Sequence, residues 1–226
     1  MTTRILAIDT THEFGSLALV EGDRILDEAL LHSAEGFGHI LFERLERLLT
    51  KHGWKAAELD CLAAAAGPGS FTGVRVGLAA AKGLAEALGK PVVAVSNLQA
   101  IAWHGEAPLR AVVLDARRGE IYGAVYNAAL EAVSAEVVTR FLKWLETLPE
   151  GELEFVSTDF APFRAALAGT RFEHAPVRAA PRALAGAVGL IAAARLRAGL
   201  AQDPAAIDAN YVRRSDAELF WKDSVG

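Results

Sequence analysis

The chain has 226 residues, of which 52% are hydrophobic and one is cysteine, and its formal net charge is −5. That length buries a core without staples, and that composition excludes long disordered stretches. The charge excludes a chain-wide basic footprint, so any nucleic-acid contact would be local or made through a partner, and a lone thiol excludes an internal disulfide framework and favours a reducing compartment.

In chain order, "RILAIDT" (4–10) reads as a short buried strand ending in Asp9 and Thr10. Its apolar run is too short for a signal-peptide core. "SLALVEGDRILDEALL" (16–31) reads as two strands around a Gly22–Asp23 turn. "EGFGHILFERLERLLTKHG" (35–53) has helical period, with Gly53 as its stop. Phe37, Leu41, Phe42, Leu45, Leu48 and Leu49 share one arc of that helix, and Ile40 lies outside it among Glu43, Arg44 and Arg47. "LDCLAAAAG" (59–67) is alanine-rich, as helices are, but its place before Gly-Pro-Gly argues for a buried strand, with Cys61 as an inert core thiol. A helix over 73–88 follows, closed by Gly89, and then the strand "KPVVAVSN" (90–97).

"AVVLDARRGEIYGAVYN" (111–127) repeats the opening pattern: an apolar strand ending in Asp115, a polar loop and a second strand. A strand (133–139), a helix (141–148), a strand (153–159), a helix (160–169) and an Ala-rich helix (182–199) complete the order. The apolar run 183–194 is too short to span a bilayer, so a cytoplasmic protein is expected. The repeat predicts an α/β chain of two lobes, 1–104 and a reduced 105–226, with the tail 205–226 packing back on the first lobe. Such lobes describe the ribonuclease-H-like arrangement of actin-like ATPases (the ASKHA fold), which by itself settles no function.

"AAAAGPGSFTGVRVGLAAAKGLAEALG" (63–89) invites a phosphate-loop reading, which fails on spacing. Val74 and Arg75 stand where a P-loop needs Lys and Ser or Thr, and Lys82 comes two to three turns later. Gly67, Gly69 and Gly73 also miss the dinucleotide spacing. The helix start could still hold an anion through its free amides. Close packing explains the glycines better: Gly73, Gly77, Ala81 and Ala85 recur every four residues and let a backbone approach. Arg75, Lys82 and Glu86 share one narrow strip with Ala79 beside it. Either the helix is sandwiched within its own domain, or it is covered by its own sheet on one side and a partner on the other.

"ILAIDTT", "AAGPGSFTGVRVGLAAAKGLA", "VVAVSNLQAIA" and "DARRGEIYGAVY" together resemble the TsaB (YeaZ) family, over about residues 4 to 126. The resemblance implies the actin-like two-lobe fold. It implies a non-catalytic subunit that activates the threonylcarbamoyl transferase TsaD in making N6-threonylcarbamoyladenosine at position 37 of tRNAs reading ANN codons. The partners implied are a TsaD-type paralogue as heterodimer, a TsaE-type ATPase, a homodimer in isolation and tRNA indirectly through the complex, with no membrane. The implied partner face is built by helices 35–52 and 73–88, with Phe37, Ile40, Leu41, Arg44, Arg75, Leu78, Ala79 and Lys82 as its candidates.

The paralogue's metal pair, His-x-x-x-His on the first helix, has no counterpart, because His32 and His39 are seven apart. No metal, catalytic residue or cofactor is expected. Asp9, Thr10 and Thr11, with Asp115 opposite, match the phosphate end of an actin-like site, so a weak or vestigial nucleotide site stays open. The equal alternative for Asp9 is a carboxylate accepting amides in its own turn. Two further functions compete: a small ATPase or kinase active alone, and a homodimeric interaction protein.

Overall fold

The structure, a computed structural model, describes residues 2–213. In the first sheet β1 (Arg4–Asp9), β2 (Phe14–Glu21) and β3 (Arg24–His32) form an antiparallel meander. β4 (Cys61–Ala65) and β5 (Val92–Val95) extend it in parallel, giving the order β3-β2-β1-β4-β5. The second sheet repeats this plan with β6 (Leu109–Arg117), β7 (Glu120–Asn127), β8 (Val137–Thr139), β9 (Leu153–Ser157) and β10 (Val177–Ala179). Its order, β10-β9-β6-β7-β8, is the same topology read from the other edge.

Strand alternation divides the apolar residues between two faces. Leu6, Ile8, Leu17, Leu19 and Leu62 point outward from the first sheet. There they meet α1 (Leu41–Lys51) and α2 (Phe71–Leu88). Ile5, Ala7, Val20 and Ala63 point inward, into one core shared with Val112, Leu114 and Ala124 of the second sheet. α3 (Asn97–Ala102) and α6 (Ala185–Arg197) fill the space between the sheets. α4 (Phe141–Leu145) and α5 (Ala161–Arg164) cover the second sheet's outer face over Phe155, Phe160 and Phe172. The chain is thus five alternating helix and sheet layers.

α6 is small-residued because it lies close on the first sheet. A Cβ on Gly189 would come within 2.6 Å of Val20, and one on Gly186 within 2.6 Å of Ile25. Its leading amides are capped from the first sheet: Leu184 and Ala185 N–H donate to Ser16 Oγ, and Gly186 N–H donates to Glu28 Oε1 at 2.7 Å.

Four sequence expectations need correcting. The helix at 35–52 starts only at Leu41, because Gly36 takes a left-handed φ of +88° and residues 37–40 form a turn. The helix at 160–169 is four residues followed by a 3-10 turn. α3 and β10 were not anticipated, being six and three residues long. A division at residue 104 also places α6 in the second lobe, whereas its side chains pack against the first sheet. Beyond α6 the chain first returns along that lobe, where Gln202 bridges Val92, Ile207 enters the outer core and Asn210 N–H donates to Ala66 O, before Arg213 reaches Ala116 and Glu120 of the second sheet. The rest of the expected tail, 214–226, lies outside the described residues.

Candidate functional site

The chain leaves β1 in a tight turn. Asp9 Oδ1 accepts from the Thr11 amide at 2.9 Å and from Thr11 Oγ1 at 2.6 Å. Asp9 is 1% exposed, and its Oδ2 has no hydrogen-bond partner among the described residues. The Thr11 hydroxyl, having given its proton to Asp9, accepts from Asn97 Nδ2 at 2.6 Å and faces His12 Nδ1 at 2.8 Å. With its proton spent, the oxygen can only accept from His12, which fixes the ring as the Nδ1–H form. Burial pushes the His12 pKa down, and the nearby Arg117 adds to this against the opposing charge of Asp9.

Asn97, at the start of α3, is wholly buried and makes two more bonds: Oδ1 accepts from the Gly67 amide at 2.9 Å, and its own amide donates to Gly67 O. Asn97 is a functional-looking residue that no sequence-based site expectation includes. Its partners lie 86 and 30 residues away, and no local signal reports them. The network runs on to the second sheet. Asn210 Nδ2 donates to Glu136 Oε2 at 2.6 Å, and Tyr126 Oη donates to Glu136 Oε1 at 2.7 Å.

The glycines of α2 meet the chain's own β1–β2 turn. Ser70 caps the helix, its Oγ accepting from Gly73 N–H. A Cβ on Gly69 would lie 2.5 Å from Thr11 O, one on Gly73 2.0 Å from Thr10 O, and one on Gly77 2.6 Å from Thr10 Oγ1. Thr10 Oγ1 donates to Gly73 O, and Ser70 N–H donates to Thr11 O at 2.7 Å. Thr10 and Thr11 thus pack along the inner side of the first turns of α2, while Ser70, Phe71 and Thr72 at its tip are exposed. Gly67, with φ +99°, faces Asn210 O instead.

Asp115, proposed as the opposite carboxylate, is half exposed, accepts from the Arg117 amide at 2.7 Å and lies 3.5 Å from the Arg117 guanidinium. It lines an inter-lobe cleft of about 270 Å³ with His12, Glu13, Asp159 and Arg182, but Asp9 does not. The two aspartates thus line no common cleft among the described residues.

The partner-face candidates separate. Phe37, Leu41 and Leu78 are buried in the chain's own outer core, so their side chains are not available to a partner. Ile40, placed off the apolar arc by sequence, is half-buried and packs on that core, because the helix starts after it. Phe42, placed in the arc, is 55% exposed, about 100° round from Leu41. Arg44 and Ala79 are exposed. Lys82 Nζ donates to Ile207 O at 2.8 Å and Arg75 Nε donates to Tyr211 Oη at 3.0 Å. The cationic strip of α2 thus holds the chain's own returning segment. Cys61 is buried in β4, where burial pushes its thiol up to about 12, as an inert core residue requires.

A family model described as TsaD, tRNA N6-adenosine threonylcarbamoyltransferase, matches residues 33–221. The tRNA threonylcarbamoyladenosine biosynthesis protein TsaB of Bacillus subtilis is 34% identical over 151 residues, which cover 65% of this chain and 66% of that one. The Escherichia coli protein of the same name is 39% identical over 128 residues, covering 55% of each chain. The matches thus span two thirds or less of these relatives' lengths. A solved structure, YeaZ from Pseudomonas aeruginosa, superimposes with a TM-score of 0.76 at 24% identity, over 92% of this chain and 99% of that one, and shares the fold.

Proposed function

The chain belongs to the TsaB (YeaZ) family, and from that premise we propose that it is a non-catalytic subunit that binds and activates a TsaD-type threonylcarbamoyl transferase. The reaction served is N6-threonylcarbamoylation of adenosine 37 in tRNAs reading ANN codons. A TsaE-type ATPase joins the pair, tRNA is engaged through the complex, and the isolated chain forms a homodimer. The setting is the cytoplasm, and no cofactor is needed.

One observation carries the non-catalytic part. The first-turn glycines of α2, which in this fold could let a phosphate approach, lie instead against Thr10 and Thr11 of the chain's own turn, with Ser70 N–H bonded to Thr11 O. Support for the partner face comes from the outer surface of α2. Ala79, Gly83 and Ala87 are exposed there at intervals of four, a second small-residue stripe that would let another helix come close. Arg44 and Phe42 of α1 are exposed as well.

The test reconstitutes the transferase with and without this chain and measures threonylcarbamoyladenosine in tRNA. Stimulation is expected, and its absence would refute the role. Ala79→Glu sharpens it. The single chain should keep its stability within about 0.5 kcal/mol. Affinity for the transferase should fall about a hundredfold, because the complex would bury an unpaired carboxylate. Unchanged affinity would move the interface off α2. ATP turnover by the chain alone, abolished by Asp9→Ala, would instead mark an enzyme.

A further inference from the structure

A cavity of about 440 Å³ opens between the end of α3, the start of β6, the loop after β7 and the last turns of α6. That volume lies within the range of small-molecule sites. Trp103, Arg110 and Arg195 line it, with Leu130 and Ile191 as apolar wall.

Both guanidiniums are held in place by neutral groups. Arg195 Nη1 donates to Ala94 O at 2.6 Å and Nη2 to Gln99 Oε1 at 2.8 Å. Arg110 Nε donates to Ala107 O at 3.2 Å and Nη1 to Ala102 O at 3.1 Å. Arg195 Nε and Arg110 Nη2 make no hydrogen bond among the described residues. Glu154, opposite Arg110 on β9, is taken by Arg178 and by the amides of Glu106 and Ala107. Burial pulls the Arg195 pKa down. A cation that is already half desolvated and positioned gains from an anion that reaches it.

The wall facing these cations is fixed as well. Gln99 accepts from Arg195 through Oε1, and its Nε2 donates to Leu130 O at 2.9 Å. Leu130 has a φ of +62°, uncommon for leucine, and its N–H donates to Asn127 O at 3.0 Å. One amide side chain thus sets both a cation and the wall beside it, so little ordering is left for a ligand to impose. Trp103, at the end of α3, is 42% exposed and offers a flat apolar face.

We infer that this cavity binds a mononucleotide, with its base stacked on Trp103 and its phosphate on Arg110 and Arg195. A ring needs a flat partner and a phosphate needs fixed donors, and the cavity has both. A bare anion would leave the indole unused, and a neutral ring would leave the two cations without a countercharge. The cleft lined by Asp115 is a different place and, at about 270 Å³, falls below the usual size of such sites. The inference goes beyond the proposed role and does not rest on it. Its failure would leave activation of the transferase standing, because the assay below contains no transferase.

The experiment is isothermal titration calorimetry of the purified full chain with AMP, UMP and inorganic phosphate. AMP should bind, UMP more weakly through its smaller ring, and phosphate about tenfold or more weakly than AMP. Trp103→Ala should weaken AMP about tenfold, and Trp103→Phe should recover most of that loss. Arg110→Gln should weaken AMP and UMP alike, whereas Asp115→Asn, in the other cleft, should leave AMP unchanged. Thermal midpoints of the variants separate lost binding from lost folding, and if Arg110→Gln unfolds the chain, the two Trp103 variants decide. No binding of AMP by the wild-type chain, or phosphate binding as tightly as AMP, overturns the inference. So does AMP binding that Asp115→Asn removes and Trp103→Ala spares, which would place the nucleotide in the other cleft.

Discussion

At the scale of single residues, the Thr11 hydroxyl has used all its capacity: one proton to Asp9 and two lone pairs facing Asn97 and His12. Asn97 is the hinge of this arrangement, since its side chain holds both Thr11 and the Gly67 amide. Asn97→Ala removes both bonds and leaves a buried amide without its partner, so it should cost about 2–4 kcal/mol, measured by urea unfolding. Asn97→Asp keeps the shape and an acceptor for Gly67 but loses the donor to Thr11 and adds charge a few ångströms from Asp9. It should cost at least as much at neutral pH and partly recover in acid, as the new carboxyl protonates. Equal stability of wild type and Asn97→Asp at pH 7 would show that the donor is not needed. None of this was legible in the sequence. Asp9 is the exception: a carboxylate accepting an amide within its own turn was one of the two sequence-based alternatives, and its Oδ1 does accept from the Thr11 amide.

At the scale of elements, α2 carries two small-residue stripes with opposite roles. Gly73 and Gly77 lie against Thr10 and the first sheet, where a Cβ meets backbone or side-chain oxygen, while Gly83 meets nothing within 4 Å. Alanine normally gains about 1 kcal/mol over glycine in a helix interior. Gly83→Ala should realise that gain and raise the thermal midpoint. Gly73→Ala should unfold or severely destabilise the chain, because its methyl would sit 2.0 Å from the Thr10 carbonyl oxygen. Equal effects at the two sites would mean the β1–β2 turn yields easily. The four-residue period of the inner stripe was legible in the sequence, and so was the conclusion that the glycines serve packing. What covers the helix was not. Arg75 and Lys82 read as a face for a partner, yet they hold Tyr211 and Ile207 from a segment with no periodicity of its own. α1 was misjudged for a related reason: Leu41, Leu45, Leu48 and Leu49 have helical spacing that continues back to Phe37 by coincidence, through a turn set by Gly36.

At the scale of the molecule, the repeated sheet plan suggests two independent lobes, and the layer order argues against it. The inner face of the first sheet is completed by α6, which the chain reaches only after the whole second sheet. Ser16 and Glu28, on β2 and β3, cap that helix, and Arg195 near its end donates to Ala94 O at 2.6 Å on β5. Ile5, Ala7, Val20 and Val93 would face water in a fragment lacking it. The Glu136 network adds polar ties between the sheets, through Ser96 and Asn210. Heating should therefore give one cooperative transition, with calorimetric and van't Hoff enthalpies equal. Residues 1–104 expressed alone should fail to fold cooperatively. A fragment that restores α6 and residues 200–213 through a flexible linker in place of the second sheet should regain stability only in part, because the inner core also needs Val112, Leu114 and Ala124. Two resolved transitions, or a 1–104 fragment with native-like cooperativity, would show instead that the first sheet closes its own inner face, and that α6 joins two lobes already folded.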